Sequence, residues 1–396
     1  MTQSNWYCKL PWTGFSNDPD GKARPCCLYK GFIKDEIGKE MYVQTHSVKE
    51  IFTSKYMQDL RQEFRSGAKP KGCSTCIIDE QNGYTSKRQQ YIDNRVTANF
   101  DIDPEFPVEY QMILSNACNL KCRSCTPSHS SLWQAEHKIM WGHTGYKMPH
   151  GQSGENDSVL WNKRSEWMPK LERLEIVGGE PFYINRWKIL WQELMEQGYS
   201  KNVYMDMSSN CTIYGGDILE KLIPNFANIG LGLSIDGLDK TYEYLRHPGV
   251  WSEVETNIDQ YNELLKKFYG KGFNISVSHT IGWVNAWTLP EFHTYFKNKA
   301  PLFRIWNNII HQPTHMSIYM IPASLKSRIT EKWNAYDWGD YTQDVNAILK
   351  FMNSQQPTDA EIKLAYEQFK KTDALRNEHL LDILPKEILN EIQPYY

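Results

Sequence analysis

Long apolar runs are missing from this sequence: no stretch approaches the ~20 consecutive residues that cross a bilayer, so no membrane-spanning helix is expected. An excess of one charge is missing too. With a formal net charge of -3, bulk electrostatics offers little to nucleic acid or to an anionic membrane, and neither is expected as a partner. The start, Met1-Thr2-Gln3-Ser4-Asn5, lacks the basic and then apolar layout of a signal peptide, which points to the cytoplasm. There, nine cysteines in 396 residues read as metal ligands or free thiols rather than as a disulfide framework. Aromatics are plentiful instead, with 14 Trp and 23 Tyr, enough for large cores or a ring-lined substrate groove. A chain of this length has room for two or three domains.

The thiols cluster. Cys118-Asn119-Leu120-Lys121-Cys122-Arg123-Ser124-Cys125 places three at CxxxCxxC spacing directly after a strand-like run, Tyr110 to Leu114. Three thiolates so close can hold a [4Fe–4S] cube and leave one iron open to a substrate or cosubstrate. A structural zinc site wants four closed ligands, usually from two separated pairs. Further on, Leu174-Glu175-Ile176-Val177-Gly178-Gly179-Glu180-Pro181 is an apolar strand ending in two glycines, a carboxylate and a proline. Glycines let backbone come close to a ligand, and a carboxylate accepts hydrogen bonds from an ammonium group.

Together these two motifs resemble the radical S-adenosylmethionine (SAM) superfamily, whose cysteine triad and GGEP-like strand end occur here in the same order. The resemblance implies that Cys118, Cys122 and Cys125 hold the cube and that SAM chelates its open iron. Gly178, Gly179 and Glu180 would then hold the SAM amino group. The residue before the third cysteine, often aromatic in the superfamily, is Ser124 here.

Residues 1–98 carry the other clustered cysteines. Cys8 precedes a turn signal, Asp18-Pro19-Asp20-Gly21, of the kind that joins two strands, and Cys26-Cys27 follows it. Ser47-Val48-Lys49-Glu50 makes a capping box, and Tyr56, Leu60 and Phe64 recur every four residues up to a helix stop at Gly67. Cys73-Ser74-Thr75-Cys76 then supplies a CxxC, so a hairpin, a helix and a closing pair form a compact four-thiol site. Spacing alone leaves a zinc knuckle open. Cys8, Gly21 and Cys26 resemble the C…GxxxxC opening of SPASM and "twitch" auxiliary-cluster domains, which implies a second, auxiliary [4Fe–4S] cluster on Cys8, Cys26, Cys73 and Cys76. Cys27 is the spare and could replace Cys26. In those families the domain usually follows the barrel, whereas here it precedes it.

From 99 to 320 strand-like and helical patterns alternate. Strands are expected at Tyr110–Leu114, Leu174–Val177, Val203–Ser208, Ile229–Ile235, Phe273–Ile281 and Phe303–Ile310, with helices at Trp187–Gln197, Val254–Phe268 and Leu289–Lys299. Serial strand–helix units imply an α/β fold with a parallel sheet; the resemblance implies a partial (β/α)6 TIM-type barrel with chemistry at the C-terminal strand ends. Residues 126–170, including Pro149-His150-Gly151-Gln152-Ser153-Gly154, read as an insertion and a candidate substrate lid. Ser208 and Asn210 end the third strand, and Ser234, Asp236 and Gly237 end the fourth; such residues commonly satisfy turns and caps. In related peptide-modifying enzymes short polar motifs at these ends contact SAM, and S-x-D-G followed by Arg246 matches one of them. Arg246 would pair with the SAM carboxylate through its planar fork. Cys211 reads as a buried small side chain, and His279, His311 and His315 as structural histidines. From 321 to 396 the pattern is helical, with a capping box at Thr358-Asp359-Ala360-Glu361 and Ile362, Tyr366 and Phe369 on one face.

The implied activity is reductive cleavage of SAM to a 5′-deoxyadenosyl radical that takes hydrogen from a substrate, with electrons from a donor such as a flavodoxin or ferredoxin. A peptide or protein side chain is the expected target. Other readings are a radical SAM enzyme acting on a sugar, nucleoside or amino acid, and a non-catalytic metal-binding or electron-transfer scaffold.

Overall fold

The computed structural model describes residues 7–81, 85–92, 96–146 and 158–396. The stretch Pro149-His150-Gly151-Gln152-Ser153-Gly154 lies outside the described residues. The chain forms two compact units, Met1–Ala117 with Tyr146–Met207 and Leu219–Ile229, and Cys118–Gly145 with Ser208–Ile218 and Gly230–Tyr396.

In the first unit the strand order is β2-β1-β3-β4-β5, with β1 at Gly14–Asn17, β2 at Ala23–Arg24, β3 at Glu109–Met112, β4 at Arg173–Ile176 and β5 at Tyr204–Ser209. The hairpin expected at Asp18–Gly21 forms: β1 and β2 pair antiparallel, and Gly21 sits at φ +83°, where a Cβ would lie 1.9 Å from the Gln44 side chain. The remaining pairs are parallel, with Phe15 opposite Tyr110, Tyr110 opposite Leu174, and Leu174 opposite Met205. Period-two alternation then sorts the side chains. Tyr110, Met112, Leu174, Ile176, Met205 and Met207 are buried, and Tyr110 packs on Trp167 at 5.1 Å between ring centroids. Each such burial contributes roughly 1.5–3 kcal/mol. The alternate positions are polar: Gln111 donates to Glu175 at 2.8 Å, and Arg173 pairs with Asp206 at 2.6 Å. The helix Lys87–Ile92 lays Lys87 and Tyr91 against Glu175.

The second unit holds the order β6-β7-β8, with β6 at Asn228–Ser234, β7 at Phe273–Ile281 and β8 at Arg304–Ile309. The β7–β8 pair is parallel, with Val277 opposite Ile305. Strands β3 to β8 are the six expected from the sequence, and the α/β class with parallel strands and intervening helices is the one observed. Within 126–170, part of what reads as loop is ordered: Trp133–Trp141 is a helix, and Val159–Asn162 and Arg164–Trp167 are helical turns.

The C-terminal helices share a core with the end of β7 and the loop after it, around Ile281, Trp283, Ile318, Trp333, Ile348, Met352, Tyr366 and Phe369, where Trp283 stacks on Tyr366 at 4.3 Å. The helix Asp359–Arg376 starts at the expected capping box, with Thr358 N–H donating to Glu361 at 2.7 Å, and stops at Asn377 in left-handed conformation. Among the described residues no helix is long and apolar enough to cross a membrane.

Candidate functional site

All nine cysteines are free thiols. In the first unit Cys8 and Cys76 are buried and Cys26, Cys27 and Cys73 half-buried. The hairpin delivers Cys26 and Cys27 behind Arg24, whose guanidinium forks onto Asp18 at 2.7 and 2.8 Å and so braces the turn. Burial, then Cys26, with Cys73 and Cys76 adding, pushes the Cys8 thiol well up. Burial followed by Cys26 and Cys76 takes Cys73 up to about 12, and burial followed by Cys27 takes Cys26 up to about 11, with Cys76 adding. Cys8, Cys26, Cys73 and Cys76 therefore feel one another's charge. Cys27 lies within reach of Cys26 and also accepts from Lys87, whose Nζ donates to its sulfur at 3.1 Å and lies 3.5 Å from Glu175.

The GGEP strand end belongs to the same unit. Gly178 and Gly179 have φ of +80° and +59°; a Cβ on Gly179 would stand 2.4 Å from the Ala117 carbonyl, and one on Gly178 2.8 Å from Ile113. Their freedom is used to pack against the chain's own segment 113–117, which runs directly into Cys118. Glu180 is fully buried; its N–H donates to the Ala117 carbonyl at 2.9 Å and its Oε1 accepts from Phe182 N–H at 3.2 Å.

The triad lies in the second unit. Its loop is tied through backbone, with Lys121 N–H donating to the His247 carbonyl and Arg123 N–H to the Leu245 carbonyl, both at 2.8 Å. Trp133 Nε1 donates to the Cys122 carbonyl at 2.7 Å and Arg376 to the Lys121 carbonyl at 2.9 Å. Arg123, inside the motif, is buried over the Tyr244 ring at 3.6 Å and pairs with Asp373 and Glu378. Arg376 pairs with Glu136 at 2.8 Å. The helix Asp359–Arg376 and the residues just after it thus clamp the loop, a role the sequence did not disclose.

Donors converge on two of the three sulfurs. Leu120 N–H lies 3.4 Å and Asn210 Nδ2 3.7 Å from Cys118 Sγ, while Arg246 Nη1 lies 3.8 Å from Cys122 Sγ. Burial pushes Cys122 up to about 11, with Arg246 pulling the other way; burial followed by Cys122 takes Cys125 up to about 12. Such thiols stay protonated until a cation displaces the proton. Three sulfurs, two of them facing N–H groups, suit iron–sulfur ligation, since hydrogen bonds to sulfur are a normal part of a cluster's surroundings. Among the described residues no three His, Cys, Asp or Glu side chains converge to hold a single metal ion.

The other expected cosubstrate residues of this unit divide. Asp236 is buried, pairing with Arg246 at 2.8 Å and accepting from Thr280 N–H at 2.8 Å. Asn210 also donates to Asn119 at 2.8 Å and accepts from Thr212 Oγ1 at 2.6 Å. Ser208 is exposed and Ser234 half-buried. Cys211 is fully buried at φ +65°. His279 is buried; its Nδ1 donates to the Ile235 carbonyl at 3.0 Å, and burial lowers it to about 4, so it stays neutral. Burial likewise lowers His315 to about 4.

Comparison with known proteins bears on the N-terminal thiols. Residues 8–77, which include Cys8, Cys26, Cys27, Cys73 and Cys76, match the SPASM family, an iron–sulfur cluster-binding domain. No curated protein matches the chain. Among solved structures, histidine-tagged anSMEcpe with bound AdoMet is similar at 19% identity and TM-score 0.38, covering 56% of this chain and 57% of that one. Native anSMEcpe with AdoMet and the Cp18Cys peptide is similar at 21% identity and TM-score 0.36, over 56% and 58%. Streptococcus suis SuiB bound to S-adenosylmethionine is similar at 14% and 0.38, over 74% and 60%. The chain spans less than two-thirds of the length of each.

Proposed function

We propose that this protein is a cytoplasmic radical SAM enzyme that modifies a peptide or protein side chain. One observation carries the reading: the three CxxxCxxC thiols sit in one anchored loop, with N–H donors turned toward Cys118 and Cys122. The GGEP strand end, packed against the segment leading into that loop, and the SPASM match support it. Nine free thiols accord with a reducing compartment. The division that goes with this reading gives 1–98 to the auxiliary cluster, 99–320 to the radical SAM barrel and 321–396 to a C-terminal helical segment.

Cys118, Cys122 and Cys125 would hold the cube, and Cys8, Cys26, Cys73 and Cys76 an auxiliary cluster. A cluster bound by Cys118, Cys122 and Cys125 would supply the electron for cleavage of the SAM C–S bond, giving methionine and a 5′-deoxyadenosyl radical that would take hydrogen from the substrate. The chain's own work is positioning and exclusion of water. By the resemblance, Gly178, Gly179 and Glu180 would hold an ammonium group, and Ser208, Asn210 and Ser234 would contact the cosubstrate. A flavodoxin or ferredoxin would deliver electrons, and a short precursor peptide encoded beside the gene would identify the substrate.

Anaerobic reconstitution with iron and sulfide, followed by dithionite and SAM, tests the reading. It expects about eight irons per chain, from two cubes of about four, and release of 5′-deoxyadenosine. About one zinc and no nucleoside would overturn it.

A further inference from the structure

The sequence expectation for Arg246 is a planar fork gripping a carboxylate of the cosubstrate. In the structure its two terminal nitrogens face partners within the chain, Nη2 lying 2.8 Å from Asp236 and Nη1 3.8 Å from Cys122 Sγ. Asp236 is itself fixed, its carboxylate by Thr280 N–H at 2.8 Å and its carbonyl by Asn285 Nδ2 at 2.7 Å. The Arg246 backbone is fixed too, because Arg123 N–H and Lys121 N–H bond the Leu245 and His247 carbonyls on either side of it. The guanidinium cannot leave Cys122 without breaking a buried ion pair.

We infer that Arg246, oriented by Asp236, sets the reduction potential of the cluster held by the CxxxCxxC loop. The inference rests on the radical SAM reading above. Reduction adds negative charge to a cluster that already carries thiolates. A cation hydrogen-bonded to one of those thiolates, in a site largely shielded from water, stabilises the reduced form more than the oxidised one. Asp236 moderates that effect while holding the cation in place. Arg246 is thus a positioning residue that acts through Cys122.

The test is an EPR-monitored redox titration of anaerobically reconstituted full-length protein, with SAM affinity measured separately by calorimetry. Arg246→Gln should shift the midpoint of the triad cluster to more negative potential. A tenfold loss of reduced cluster at fixed potential corresponds to ~59 mV for one electron. Arg246→Lys, which keeps the charge, should restore most of the shift, and Asp236→Asn should move the midpoint the other way. Opposite signs from the two partners would not arise from mere loosening of the loop. If Arg246→Gln fails to fold, the Asp236→Asn shift still decides. Unshifted midpoints, or shifts of the same sign from both, would overturn the inference, as would an unshifted midpoint with SAM binding lost in Arg246→Gln. Wild-type protein that takes up no cluster would overturn the radical SAM reading itself.

Discussion

The two groups of thiols have different surroundings. The N-terminal group brings Cys8, Cys26, Cys73 and Cys76 within mutual electrostatic reach, and its nearby cation, Lys87, is hydrogen-bonded to a fifth thiol, Cys27. The triad has three thiols, a guanidinium on one of them, and a loop clamped by buried ion pairs. Four ligands would close a cluster and suit a fixed electron store; three, with a cation beside them, would suit a cluster that must also do chemistry. The sharpest way to break this contrast is to remove one thiol from each group. Cys122→Ala should bring 5′-deoxyadenosine release to background, whereas Cys76→Ala should keep measurable SAM cleavage by chromatography. Equal loss in both would erase the distinction.

The clamp comes next in size. Arg123 and Asp373 have side chains only 3% and 4% exposed, so Arg123→Ala leaves a buried carboxylate without its partner. Breaking such a pair typically costs ~3–5 kcal/mol, read as a lower denaturant midpoint. The same variant should lose iron from the triad while the N-terminal cluster's EPR signal persists. Loss from both groups alike would mean that the clamp supports general folding and not the triad in particular.

That clamp also marks where the sequence stopped being legible. The six strands of the α/β core could be read because short stretches such as Leu174–Val177 and the period-two Phe273–Ile281 come in turn with amphipathic helices. The capping boxes at Ser47 and Thr358 could be read because their bonds span three residues. The pairing of β1 with β3 could not, since Gly14-Phe15-Ser16-Asn17 is short, half polar and meets a strand some 95 residues later. Arg123 with Asp373 is harder still, at a separation of 250 residues, with no local periodicity to betray it. Arg246 is the instructive case: a motif drew attention to it, but only geometry shows its nitrogens turned to Asp236 and Cys122.

Acid should separate the regions by a smaller effect. Glu378 and Glu136 are held below the usual carboxylate range: burial raises both, but the hydrogen bond from His247 with the Arg123 charge outweighs it for Glu378, and bonds from Arg376 and Lys121 do so for Glu136. A carboxyl depressed in the folded state stabilises it fully above the unfolded pKa, about 4.3 for Glu, and that stability is lost as pH falls through the folded value. Hydrogen exchange between pH 5 and 3 should therefore show the triad loop and the helix Asp359–Arg376 opening together as pH falls. Glu378→Gln should flatten that dependence; an unchanged profile would remove the clamp from the acid response.

The smallest effect concerns the turn at Gly178 and Gly179. Gly179→Ala places a Cβ 2.4 Å from the Ala117 carbonyl at a φ of +59°, so backbone must shift one residue before Cys118. Strain of this kind costs on the order of 1–3 kcal/mol, and a modest drop in melting temperature is expected. A substitution at Gly38, which has φ +81° but nothing within 4 Å of its Cβ, carries the conformational penalty without the clash. If Gly179→Ala and Gly38→Ala lower the melting temperature equally, the close approach to Ala117 contributes nothing. If Gly179→Ala alone also weakens iron retention by the triad, the GGEP turn positions the first cluster ligand as well as any bound ammonium group.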